Sequence, residues 1–188
     1  GSKQRRGRIV GAVSIDKRPN IVDAKSRIGD WEIDTITGKK RKGALLTIVE
    51  RKSKFTLIKK LPDRNAKRLS NAVVHLMRPY KDKVFTITAD NGKEFAQHAR
   101  ISRLLEANVY FAHPYHAWER GLNENTNGLL RQYFQKGTDF TKIKNDLLKL
   151  AMDRLNLRPR KTLNFKSPND VFLGNKSKQQ FVANCCTY

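Results

Sequence analysis

The sequence predicts an α/β domain, a mixed five-stranded sheet in the order β-β-β-α-β-α-β-α-α with helices packed on its faces. Three observations carry this. Between residues 31 and 61, three short β-rich segments follow one another with only turn material between them. After residue 61 the hydrophobic period lengthens from two to about 3.6. From there strand-like and helical segments alternate. An antiparallel meander followed by βαβ units meets all three.

Residues 3–28 show no sustained periodicity and carry Lys3, Arg5, Arg6, Arg8, Lys17, Arg18, Lys25 and Arg27, so they read as a basic arm or linker. Gly1-Ser2 reads as a cloning scar at the head of that arm, residues 1–28. The domain proper is expected over residues 29–173, with a polar tail over residues 174–188. Trp31 to Thr37, Ala44 to Glu50 and Phe55 to Leu61 are the meander strands, separated by residues 38–43 and 51–54. Leu69, Ala72, Val73, Leu76 and Met77 hold helical spacing, and Pro79 ends that helix. Val84 to Ala89 is the fourth strand, stopped by Asp90-Asn91-Gly92. Ile101, Leu104 and Leu105 mark a helix, and Val109 to Ala112 the fifth strand. Helices follow near residues 123–135, 141–156 and 167–172.

Composition narrows the partner. Among 188 residues, 39 Lys and Arg face 17 Asp and Glu, a formal charge of +22. A folded domain this basic repels itself, and a polyanion offsets that cost. With 38% hydrophobic residues the chain is neither disordered nor a membrane span. Cys185 and Cys186 are adjacent, which excludes a disulfide scaffold and a cysteine zinc site. No leader or apolar anchor is evident, so the cytosol is expected.

Three acids are candidates for chemistry. Asp34 lies inside the first strand, where a carboxylate is costly unless paired or bound to a cation. Asp90 sits just past the fourth strand, at the edge where open α/β sheets bind ligands. Two carboxylates meeting there repel unless a divalent metal neutralises them, and oxygen ligands suit Mg²⁺ or Mn²⁺. Taken singly, Asp34 reads more simply as a solvated edge acid and Asp90 as an Asx turn. Glu124 opens a helix starting near Asn123 whose core stripe is Thr126, Leu129, Leu130 and Tyr133. Glu124, Asn127, Gly128 and Arg131 fall on the opposite stripe. A dipole-stabilising role for Glu124 is the simpler reading, while Asn127 and Arg131 could contact a phosphate. Gly128 allows close approach of a backbone, from DNA or from the sheet.

In this order and spacing, with 33 residues between Asp90 and Glu124, these residues resemble the DDE transposases and retroviral-type integrases of the ribonuclease-H-like superfamily. More narrowly, the chain is similar to the catalytic domain of the insertion-sequence-thirty family of bacterial transposases. The stretches that carry the likeness are residues 27–32, 44–52, 88–95 and 120–134. It runs from about Arg6 to Phe172. Ile33 stands where a Gly is common, and His113 where an Asp is common. His113 could contact DNA, contact a metal or only pack, and is left outside the triad. The family's N-terminal helix-turn-helix region has no counterpart here.

The resemblance implies catalytic and metal-binding roles for Asp34, Asp90 and Glu124, with two Mg²⁺ ions for which Mn²⁺ substitutes. It implies DNA cleavage that releases a 3′-hydroxyl, then strand transfer by that hydroxyl in a homo-oligomer at the bacterial nucleoid. Lys39, Lys40, Arg41, Lys42, Asn127, Arg131 and Trp118 are the expected DNA contacts. The turn at 51–54, the arm at 3–8 and Tyr115 are further candidates. Two other readings stay open: a nuclease of the same fold that only hydrolyses, and a non-catalytic DNA-binding protein derived from a transposase.

Overall fold

The period-two segments of the first half become the centre of one sheet. In the computed structural model, which describes residues 9–114 and 116–174, β2 (Asp30–Thr37), β3 (Ala44–Glu50) and β4 (Thr56–Leu61) form the antiparallel meander. β5 (Thr86–Ala89) and β6 (Asn108–Phe111) add in parallel on the other side of β2. The sheet has six strands rather than five, in the order β1-β6-β5-β2-β3-β4. The extra one, β1 (Val13–Ser14), pairs in parallel with β6. Two residues are too few to show a period, which is why this strand was hidden in the basic segment.

That segment differs from the expected arm in other ways. Ile9 is buried in the core and α1 (Asn20–Ala24) follows β1. Arg18, buried, donates to the Thr88 hydroxyl at 2.9 Å and pairs with Asp23. At least one cation of the segment is thus spent inside the fold. Residues 3–8 and the tail from 175 lie outside the described residues.

Alternation along the strands feeds two cores. Trp31 and Ile33 of β2, with Ala44, Leu46 and Ile48 of β3, join the larger one. Leu69, Val73 and Met77 of α2 (Ala66–Met77) and Ile101 and Leu105 of α3 (His98–Leu105) complete it. Ile36, Leu45 and Ile58 belong to the second core. There they meet Leu130 of α4 (Gly121–Leu130), Phe140, and Leu148, Ala151 and Leu155 of α5 (Asn145–Leu157). Glu32 and Asp34 share the parity of Ile36, so α4 lies over the strand face that carries these acids.

Local signals agree with the global fold. The Asn65 side chain caps α2 by accepting from the Lys67 and Arg68 amides. Ser167 and Asp170 form a capping box at α6 (Pro168–Leu173), with Pro168 at its first turn. α6 returns Phe172 to the start of the sheet. Its ring stacks on Phe55 at 4.3 Å and meets Trp31 edge-on at 5.4 Å. Such pairs contribute about 0.5–1.5 kcal/mol each beyond the area they bury. Among the described residues no helix is long and apolar enough to cross a membrane.

Candidate active site

The parallel register builds the site. Asp30 pairs with Thr86 and Glu32 with Thr88, so continuing by two residues sets Asp34 level with Asp90. Both acids stand where β2 and β5 approach their C-terminal ends. The Arg120 guanidinium lies between them, with Nη1 3.4 Å from Asp34 and Nη2 3.6 Å from Asp90. These are ion-pair rather than hydrogen-bond distances, and Nη1 is buried without a hydrogen-bond partner.

Asp34 is held by its surroundings. Asn127 of α4 donates to its second oxygen at 2.9 Å, and the Thr35 amide donates to the first at 2.8 Å. Thr47, opposite Asp34 on β3, donates to the Asn127 side-chain oxygen at 3.1 Å and fixes the amide's orientation. Burial raises the Asp34 pKa above the ordinary carboxylate value. Arg120 opposes that shift and the Asp90 charge adds to it. The position therefore favours a cation.

Asp90 begins the tight turn its sequence suggested, accepting from the Gly92 amide at 2.8 Å. Asn91 donates to the Ala112 carbonyl and ties this turn to the loop before α4. A Cβ on Gly92 would stand 2.6 Å from the Glu94 carboxylate and 2.8 Å from Asp90. The glycine leaves room for a third acid beside the pair. Buried Glu94 accepts from the Thr35 hydroxyl at 2.8 Å and pairs with Arg64 at 3.3 Å.

Glu124 is exposed near the start of α4, with no hydrogen bond or ion pair among the described residues. It stands one turn before Asn127, on the part of the helix that passes over the acidic strand. The core stripe expected for this helix is observed: Thr126 and Leu130 are buried, and Leu129 and Tyr133 pack beside the second core. The helix starts at Gly121 and ends at Leu130, earlier at both ends than its periodicity suggested. Asn127 turns toward Asp34 rather than away from the sheet. Gly128 is exposed with nothing within 4 Å of a Cβ placed on it, so close helix–sheet packing does not explain it.

The basic candidates divide. Lys39, Lys40, Arg41 and Lys42 are all exposed in the turn after β2, on the same sheet edge as Asp34 and Asp90. Arg131 is half-buried at the end of α4. Arg51 belongs to the interior instead: it is buried and donates to Glu32 at 2.6 Å, Asp23 at 3.2 Å and the Val22 carbonyl at 3.1 Å. It is not available to a phosphate. Tyr115 and the Trp118 side chain lie outside the described residues.

Sequence reasoning gave no role to Arg120, Glu94, Thr47 or Thr35. Arg120 and Glu94 stood within the matching stretches, and helical spacing of four from Arg120 to Glu124 was the available signal. Placing the helix start at Asn123 hid it. The donor set at Asp34 and Asp90 is oxygen only, and a guanidinium already lies between the two carboxylates. These residues fit a hard divalent cation.

No family model matches the chain. Over 173 residues it is 51% identical to the transposase for insertion sequence element IS4351 of Bacteroides fragilis, covering 92% of this chain and 53% of that protein. Over 164 residues it is 36% identical to the transposase InsI for insertion sequence element IS30A of Escherichia coli K12, covering 87% and 43%. The chain thus spans about half the length of the curated relatives it matches. The catalytic core domain of BIV integrase superposes with a TM-score of 0.60 at 19% identity, over 82% of this chain and 99% of that one. At that identity the likeness speaks for the fold, which is ribonuclease-H-like. The chain is thus similar in sequence to part of several insertion-sequence transposases, and in fold to an integrase catalytic core domain.

Proposed function

We propose that this segment is the catalytic core of a DNA transposase. It would cut DNA at the ends of an insertion element, expose 3′-hydroxyls and join them to a target strand. The observation that carries the reading is the level placement of Asp34 and Asp90 across two parallel strands with a cation between them. Asp34, Asp90 and Glu124 would hold two Mg²⁺ ions, or Mn²⁺ in their place. Bound there, the ions would supply activation of an oxygen nucleophile and stabilisation of the leaving oxygen in an in-line displacement at phosphorus.

The chain's own residues do the rest. Asn127 fixes one Asp34 oxygen, and the other, which accepts from the Thr35 amide, faces Arg120. Arg120, released from the two acids, is placed to take a phosphate oxygen of the strand being cut. In the first reaction a water oxygen bonds to phosphorus and the bond to the 3′ oxygen breaks, leaving a 3′-hydroxyl and a 5′-phosphate. In the second that hydroxyl attacks a target phosphate and displaces the next 3′ oxygen. Lys39, Lys40, Arg41 and Lys42 neutralise the backbone beside the acidic edge. Arg131 and Trp118 extend that interface. A homo-oligomer, at the nucleoid of a bacterial cytoplasm, is the setting we infer from the family.

The test is twofold: nicking of supercoiled DNA with Mg²⁺ or Mn²⁺, and joining of a pre-cut 3′-hydroxyl oligonucleotide to a plasmid. Both activities are expected, and both are lost in Asp90→Asn and Glu124→Gln while the fold persists by circular dichroism. Nicking without joining would reduce the function to hydrolysis. Activity that survives Asp90→Asn would remove the acidic pair from the chemistry.

A further inference from the structure

We propose that His113, His116 and Glu119 form a second cation site, for one divalent transition ion of the zinc or cobalt class, separate from the acidic pair. The three stand at spacings of three residues in the loop that leads from β6 into α4. One ligand atom from each lies within 4.8 Å of the others. The His113 Nδ1 is 2.8 Å from Glu119 Oε1, and the two imidazole rings have centroids 5.4 Å apart.

Backbone groups of the described residues also meet these side chains. The His113 amide donates to Glu119 Oε2 at 2.8 Å, closing the loop through the same carboxylate. The His116 amide donates to the His113 carbonyl at 3.2 Å, and the Glu119 amide to the His116 carbonyl at 3.1 Å. Ligands around zinc, with bonds of about 2.0–2.1 Å, stand roughly 3.3 Å apart in a tetrahedron. The His113–Glu119 pair, at 2.8 Å, has to open by about 0.5 Å to become one edge of that polyhedron. His116, whose Nδ1 lies 3.0 Å from the Pro114 carbonyl, has to come in by no more than about 1.5 Å.

Asp16, from the turn after β1, supplies the independent observation. Its carboxylate is 3.0 Å from His113 Nε2. A carboxylate accepting the far N–H of an imidazole fixes the tautomer and turns the opposite lone pair toward a metal. Here that lone pair faces another carboxylate, Glu119. At 2.8 Å a proton bridges the two atoms, and an ion held by both would take that proton's place. Two imidazoles and one carboxylate suit zinc, cobalt or nickel, whereas magnesium prefers oxygen alone. The two sites therefore select different ions.

Such an ion would staple the segment around Asp16 to the loop that places Arg120 at the acidic pair. Three protein ligands also leave a coordination position open to water or to a phosphate oxygen of DNA. The site does not depend on the proposed chemistry at Asp34 and Asp90.

The experiment is a cobalt titration followed by visible absorption, on the chain carrying Asp34→Asn and Asp90→Asn, with zinc added in competition by calorimetry. One equivalent of Co²⁺ is expected, with a d–d band that Zn²⁺ abolishes. His116→Ala and Glu119→Gln should lose saturable binding, with circular dichroism reporting the fold. Asp16→Asn should weaken it about 10- to 100-fold. Absence of saturable cobalt or zinc binding overturns the proposal, as does binding that survives both His116→Ala and Glu119→Gln. Either result would leave His113 as an imidazolium clamped by two acids. Failure of nicking with cobalt binding intact would instead count against the reading of the acidic pair.

Discussion

Three acids alternate along one face of β2, and they live under different terms. Asp30 and Glu32 are buried and closed on every side. Asp30 accepts from Arg27 at 2.9 and 3.0 Å and from the Thr86 hydroxyl at 2.7 Å. Glu32 accepts from Arg51 at 2.6 Å and from the Asn123 amide of α4 at 3.0 Å. Two residues on, Asp34 has hydrogen bonds from neutral donors only, and its cation stands off at 3.4 Å on a side chain from a loop. The first two acids hold the sheet, the segment before it and α4 together. The third is left a charge that something mobile can answer. An acid in a strand is thus tied to the structure, or left as a candidate for function, according to how completely its partners close around it.

The sharpest way to break this comparison is at Arg51. Arg51→Ala leaves Glu32 buried without its cation and should cost about 3–5 kcal/mol of unfolding free energy, read by urea denaturation. A loss below about 1 kcal/mol would mean that Glu32 is no more closed than Asp34. At the third acid the expected effects are smaller and different in kind. Arg120→Ala removes a cation that a metal in the proposed site would have to displace. With about 1 kcal/mol or less for each of its two pairs, Mn²⁺ should bind roughly tenfold more tightly in calorimetry. Weaker binding would make Arg120 a supporter of the metal site rather than its competitor.

Asp34→Asn turns on the sign of the pKa shift. Burial raises the folded-state pKa of Asp34 above its ordinary value, so ionisation destabilises the fold. That penalty is complete above the raised pKa and absent below the ordinary carboxylate range. The variant should therefore melt higher than the wild type at neutral pH, with the difference disappearing as the pH falls below about 3.8. A variant that melts lower at neutral pH would place Asp34 with the structural acids. The smallest effect belongs to the other side of α4. Gly128→Ala meets nothing in the structure and should stabilise by about 1 kcal/mol. If the glycine serves DNA, affinity for DNA falls in the same variant.

Much of this was legible in the sequence. The five strands it marked lie within two residues of their observed ends, because short β-branched and apolar runs such as β3 and β5, bounded by turn residues, leave little choice of element. Asp34 and Asp90 were legible for a related reason: one is a charge inside an apolar strand, the other an acid at a strand's end. β1 was not, since its pairing comes from β6, about a hundred residues away. Arg51 looked like part of an exposed basic turn. Only the fold shows that β2 and α1 bring Glu32, Asp23 and Val22 to it. Arg120 and the pairing of His113 with Asp16 depend in the same way on side chains meeting across elements, which no local period records.

The return of Phe172 to Trp31 bears on how the protein is born. Trp31 sits in the first long strand of this sheet, and its aromatic neighbour in α6 is among the last residues described. Until that helix emerges, the larger core lacks the ring stacked on Phe55 and touching Trp31. Sheet pairing between distant segments closes slowly for the same reason. A chain ended before α6 would hold both carboxylates yet lack the aromatic contact at the start of the strand carrying Asp34.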